Sequence, residues 1–84
     1  MVLGAEILKV LNKVFEPLSF IETKFKRYDL AFKTDEAGRP ILLFIGQKDE
    51  GGKIKGERFV RRLKLGGNGE ILKDNWDNKG KASN

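Results

Sequence analysis

Between Lys53 and Leu65 the chain reads KIKGERFVRRLKL, six cations and one acid threaded through apolar positions at a spacing of two. Side chains two apart on a strand stand on one face, so Arg58, Val60, Arg62 and Lys64 point one way and Glu57, Phe59, Arg61, Leu63 and Leu65 the other. A row of cations at that spacing attracts a chain of phosphates by releasing its condensed counterions. Exposed aromatics among the cations would let bases stack. A second basic segment, residues 24–33, sets Lys24, Lys26, Arg27 and Lys33 against Asp29 alone, and together the two segments hold all the excess behind the net charge of +5. The candidate polyanion-binding residues are Lys26, Arg27, Arg58, Arg62 and Lys64, joined by Lys24, with Tyr28, Phe32 and Trp76 as stacking candidates. Arg61 sits on the apolar parity and must reach the sheet edge or snorkel. Neutralising four phosphates of a single strand would give a slope of log K against log salt near about −3.

The same residues have a purely structural reading. A sheet with one solvated face fills it with lysine and arginine, which on edge strands also block sheet-to-sheet association. Cross-strand pairing with Glu22 or Asp29 would use part of the charge internally. Tyr28 and Phe32 share parity with Leu30, the spacing of a core face. On this reading the chain is a homo-oligomerising or protein-interaction domain, a homodimer for example, and its cations only keep it dissolved.

Other chemistry is sparse. The chain has no histidine and no cysteine, so the commonest acid/base and the thiolate and imidazole metal ligands are missing. Candidate nucleophiles reduce to Ser19, Thr23, Thr34, Ser83 and Tyr28, and the sequence puts no base beside any of them. Asp74 and Asp77 in DNWDN lack the alternating oxygen ligands and the bend glycine of a calcium loop. Gly51 with Gly52, and Gly66 with Gly67 and Gly69, neither match GxGxxG nor lead into a helix, so they read as hairpin turns. The sequence therefore predicts no enzyme, no metal and no cofactor.

These side chains need elements to hold them. Leu3, Ile7, Val10, Leu11 and Val14 recur at three and four, with Leu8 and Phe15 widening the stripe, which predicts an amphipathic helix from Leu3 to Phe15, ended by Pro17. From Leu18 the period is two. Ile21, Thr23 and Phe25 share one parity and Tyr28, Leu30 and Phe32 the other, so the phase slips at Lys26 and Arg27; a β-bulge there would keep both sets on one face, and a break into two strands is the competing reading. TDEAGRP reads as a hairpin loop, with Pro40 opening the next strand. ILLFI, residues 41–45, is apolar on both parities and reads as a central strand covered on two sides. QKDEGGK is a second loop, Lys53 to Leu65 the basic strand, and GGNG a third turn before a short strand from Glu70 to Asp74.

Eighty-four residues make one domain with a thin core. The expected fold is α+β: an N-terminal amphipathic helix packed on one face of an antiparallel β-meander of four strands, or five, spanning residues 1–76, with 77–84 a flexible tail. Glu6, Lys9, Asn12 and Lys13 interrupt the N-terminal stripe, so no signal-peptide core forms, and no run is long enough to span a bilayer. The polar side of that helix balances its acids and bases, leaving no attraction to anionic lipid. A cytoplasmic, non-catalytic binding module for single-stranded nucleic acid or another polyanion is the expectation.

Overall fold

The apolar stripe at the N-terminus closes only two turns of helix. The structure, a computed structural model, describes residues 2–83, with the backbone alone at Ser83. Its helix α1 runs from Ala5 to Leu11, shorter at both ends than the Leu3 to Phe15 predicted. Gly4 stands at the N-cap with no side-chain cap, so nothing draws the helix back to Leu3. At the other end Lys13 N bonds Val10 O, tightening the last turn, and Phe15 N bonds Gly38 O at 2.8 Å. The Phe15 ring packs on Phe32 with centroids 4.9 Å apart. Docking Phe15 on Gly38 and Phe32 thus ends the helix before Pro17 can.

Five strands follow: β1 Phe20–Phe25, β2 Tyr28–Thr34, β3 Pro40–Lys48, β4 Ile54–Leu65 and β5 Ile71–Ser83. They form one open antiparallel sheet in the order β1-β2-β3-β4-β5, so every connection is a hairpin. The phase slip at Lys26 and Arg27 is a chain reversal, the break into two strands and not the bulge. Phe25 pairs with Tyr28, and Lys26 takes the left-handed conformation with φ 55°. A two-residue turn also returns both apolar sets to one face, which is why the sequence pattern did not distinguish it from a bulge.

The two longer acidic turns are built alike. Asp35 Oδ1 accepts from the amides of Ala37 and Arg39, both at 2.9 Å, and Asp49 Oδ1 accepts from those of Gly51 and Lys53. These backbone donors help hold both carboxyls below the usual range. At Asp35 they outweigh an opposing effect of burial and act together with the Arg39 side chain; at Asp49 the Lys53 amide contributes most.

The largest departure from expectation is β5. It does not stop at Asp74 but pairs with β4 from Ile71, opposite Leu65, to Ser83, opposite Lys55. Residues 77–83, read from their polar composition as a tail, are strand; Asn84 and the Ser83 side chain lie outside the described residues. One extra residue enters the ladder opposite Arg58, between the Phe59–Asn78 and Glu57–Lys81 pairs. Gly80, with φ 90°, sits in that bulge and donates its amide to Asn78 Oδ1 at 2.7 Å. Farther along, Gly46 and Gly56 oppose each other. A methyl on Gly46 would run into the Lys55 carbonyl and one on Gly56 into the Ile45 carbonyl, so the two strands pass too closely there for any side chain.

Register assigns every side chain to a face, because residues opposite each other point the same way. One face holds Leu30 and Phe32 of β2, Leu43 and Ile45 of β3 and Phe59 of β4. These are buried in a single apolar cluster with Ile7 and Leu11 of α1, and Leu3, Leu8, Phe15, Ile21, Phe25, Tyr28 and Trp76 pack around it. Among the described residues none of the second face belongs to that cluster.

Candidate functional site

The second face is built in rows across the strands. Phe20, Lys33, Leu42, Val60 and Asp77 form one row, and Glu22, Ala31, Phe44 and Arg58 the next. Lys24, Asp29, Gly46 and Gly56 follow on one side; on the other, Arg62 faces Asn75 and Lys64 faces Lys73. Among the described residues only Ala31, Asp29 and Ile54 are buried here, Ile54 at the start of β4 opposite Lys48. Asp29 Oδ2 accepts the Lys48 amide at 2.8 Å, extending the β2–β3 ladder by a side chain.

Seven cations (Lys24, Lys33, Lys48, Arg58, Arg62, Lys64 and Lys73) share this face with three acids. Each acid is already engaged: Asp29 by Lys24 at 3.8 Å, Glu22 by Lys48 at 3.1 Å and Asp77 by Arg62 at 3.3 Å. Lys33, Arg58, Lys64 and Lys73 are exposed and make no ion pair among the described residues. Lys64 and Lys73 stand directly opposite each other, a like-charge pair that opposes folding. Between the cations the face is apolar: Phe20 is 46 % exposed, and Leu42, Phe44 and Val60 are half-buried.

Of the five residues proposed from sequence, Arg58, Arg62 and Lys64 gather on this face, and Lys26 and Arg27 do not join them. Lys26 Nζ reaches Glu6 of α1 at 2.9 Å, holding that carboxyl below its usual range. Arg27 lies over the Tyr28 ring, on the cluster side of the sheet. The β1–β2 hairpin puts both residues in the turn, with their side chains toward the cluster side. The three aromatics proposed for stacking also fall on the cluster side, where Phe32 is fully buried and Tyr28 and Trp76 pack against the core. Sequence reading missed Lys33, Lys73, Phe20 and Phe44 as members of the site. The signal was present: Lys33 and Phe44 have the parity opposite to Phe32 and Ile45, the residues that mark the core.

Arg61 meets neither of the expected fates. It is 8 % exposed and bonds Asp74 through Nε at 2.7 Å and Nη2 at 2.6 Å. Nη1 donates to the carbonyls of Pro40 and Leu11, and Nη2 also to Asn12 Oδ1. Its guanidinium lies 5.6 Å from the centroid of the Trp76 ring, which stands opposite in register. The bond from Arg61, reinforced by its charge, holds the Asp74 carboxyl below its ordinary 3.8 against the opposing effect of burial. Arg61 is thus a structural clamp between α1, β3 and β5.

Among the described residues there is no cluster of three or more metal-ligating side chains, and no helix is long and apolar enough to cross a membrane. No protein-family model, curated protein or solved structure matches the chain.

Proposed function

We propose that this chain is a non-catalytic cytoplasmic binding module in which α1 covers the cluster face of the sheet and a polyanion occupies the other. The observation that carries the reading is the set of four exposed cations, Lys33, Arg58, Lys64 and Lys73, left without acids on one face. A merely solvated face would gain by interleaving acids with them, above all at the Lys64–Lys73 pair. Arg62, shared with Asp77, is a fifth contact that a phosphate would compete for. A cytoplasmic setting fits a chain without cysteine.

Titrating a labelled anionic oligomer at several salt concentrations tests this. With four cations engaged, log K should fall with log salt at a slope near about −3. Absence of binding at low salt would remove the reading.

Self-association is a second reading, and one observation favours it: Leu65, Ile71 and Leu72 at the end of the β4–β5 hairpin are 41 %, 51 % and 58 % exposed. Lys73, Lys79, Lys81 and the Gly80 bulge along β5 work against edge pairing. The mass in solution at micromolar concentration separates the two, a dimer supporting the second.

A further inference from the structure

We infer that the polyanion is a single-stranded nucleic acid whose bases stack on Phe44 and Phe20 while Lys33, Arg58, Lys64 and Lys73 hold its phosphates. This rests on the polyanion reading above and narrows it by the apolar content of the face. Bare polyphosphates and sulfated sugars offer charge without flat apolar bodies. A duplex offers bases whose faces are already stacked inside it. A single strand alone alternates a phosphate with an exposed planar ring, and stacking on aromatic side chains is how sequence-tolerant single-strand binders use it.

The rows match that alternation. Phe44 is flanked in register by Ala31 and Arg58, and Phe20 by Lys33. Ala31, between Glu22 and Phe44, is fully covered, and Phe44 is half-buried beside it. The two rings are two strands and one pleat apart, about 12 Å by ordinary sheet spacing, so they make two separate stacking positions. Other occupants fit less well. A second copy laid face to face would set seven cations and three acids against the same set, with like charge dominating both sides. A bilayer would attract the cations, but Phe44, held mid-strand in β3, cannot dip into it as a loop residue can.

The test compares two labelled strands of equal length and charge, an oligodeoxyadenylate and its abasic sugar-phosphate counterpart, against the full chain at low salt. The base-bearing strand should bind about tenfold or more tightly than the abasic one. Phe44→Ala should remove most of that preference and leave abasic binding unchanged, with Phe44→Trp restoring it. Phe20→Ala, at an exposed edge position that tolerates truncation, should lower it in the same sense. Equal affinity for the two strands, or a Phe44→Ala loss shared by both, would overturn the stacking inference and leave the polyanion reading standing. Failure of both strands to bind would overturn the two together. A tighter complex with a duplex of equal length, or with anionic vesicles, would also overturn it.

Discussion

Arg61 and Arg62 are neighbours in β4 that face opposite ways, and each has an aspartate of β5 beside it. On the cluster side the Arg61 side chain is 4 % exposed, its Asp74 partner 28 %, and the bond is bidentate. On the other side Arg62 is 63 % exposed and touches Asp77 through one nitrogen at 3.3 Å. The same residue types therefore do different work. Water screens the outer pair and competes for it, so its contribution is small. Arg61 has lost its water, and its charge depends on Asp74 and on the carbonyls of Leu11 and Pro40. One arginine is tied into the fold, and the other stays exposed to water.

Removing the inner aspartate should break this comparison most visibly. Asp74→Ala leaves Arg61 buried and uncompensated, which costs about 3 kcal/mol and lowers Tm by more than about 10 °C in a domain of this size. A thermal melt showing a loss under about 1 kcal/mol would mean that Arg61 swings out to water and is no clamp. Acid sharpens the same point. The folded pKa of Asp74 lies below the 3.8 of a free carboxyl, so the unfolded chain takes up the proton first as pH falls. The stabilisation is complete above that ordinary value and disappears as pH drops through the folded one. The stability gap between wild type and Asp74→Asn should therefore narrow below about pH 4, although Asp35, Asp49 and Glu6 add acid sensitivity of the same sign to both proteins.

Reversing charge on the outer face should do the opposite. Arg58→Glu together with Arg62→Glu removes one exposed ion pair and no buried contact, so stability should change by less than about 1 kcal/mol. Oligonucleotide binding at low salt should vanish. Unaltered binding would locate the anion site elsewhere, and a large drop in Tm would mean these side chains are structural after all.

How far the sequence foretold this arrangement depended on whether a signal was local. Alternation in β4 correctly separated Arg58, Arg62 and Lys64 from Phe59, because the two-residue period needs no knowledge of partners. The turns at Asp35 and Asp49 were legible for the same reason: each aspartate bonds amides within four residues of itself. Three features were not local. The end of α1 is set by Phe15 reaching Gly38 and Phe32, far along the chain. The length of β5 is set by β4, whose long edge supplies partners to a segment, NWDNKGK, with little strand propensity of its own. The Lys26–Arg27 turn carries no glycine or asparagine to announce it, so a bulge and a reversal looked alike. That last ambiguity displaced two residues of the candidate site, since a bulge would have left Lys26 and Arg27 within the sheet.

The smallest expected effect on stability is also the one that separates the two sides most cleanly. Asp77 is the acid nearest the outer cations of β4, and Asp77→Ala deletes a screened pair at a position where Val60 is its cross-strand neighbour. Stability should shift by about 0.5 kcal/mol or less. Binding should tighten, because Arg62 is freed and a repelling carboxylate is gone, and the salt slope should steepen by about 0.7 as a fifth cation becomes available to phosphate. The equivalent deletion on the cluster side, Asp74→Ala, can only damage the fold. Should Asp77→Ala weaken binding or melt the protein as Asp74→Ala does, the outer pair would belong to the scaffold, and the division of labour between Arg61 and Arg62 would fail.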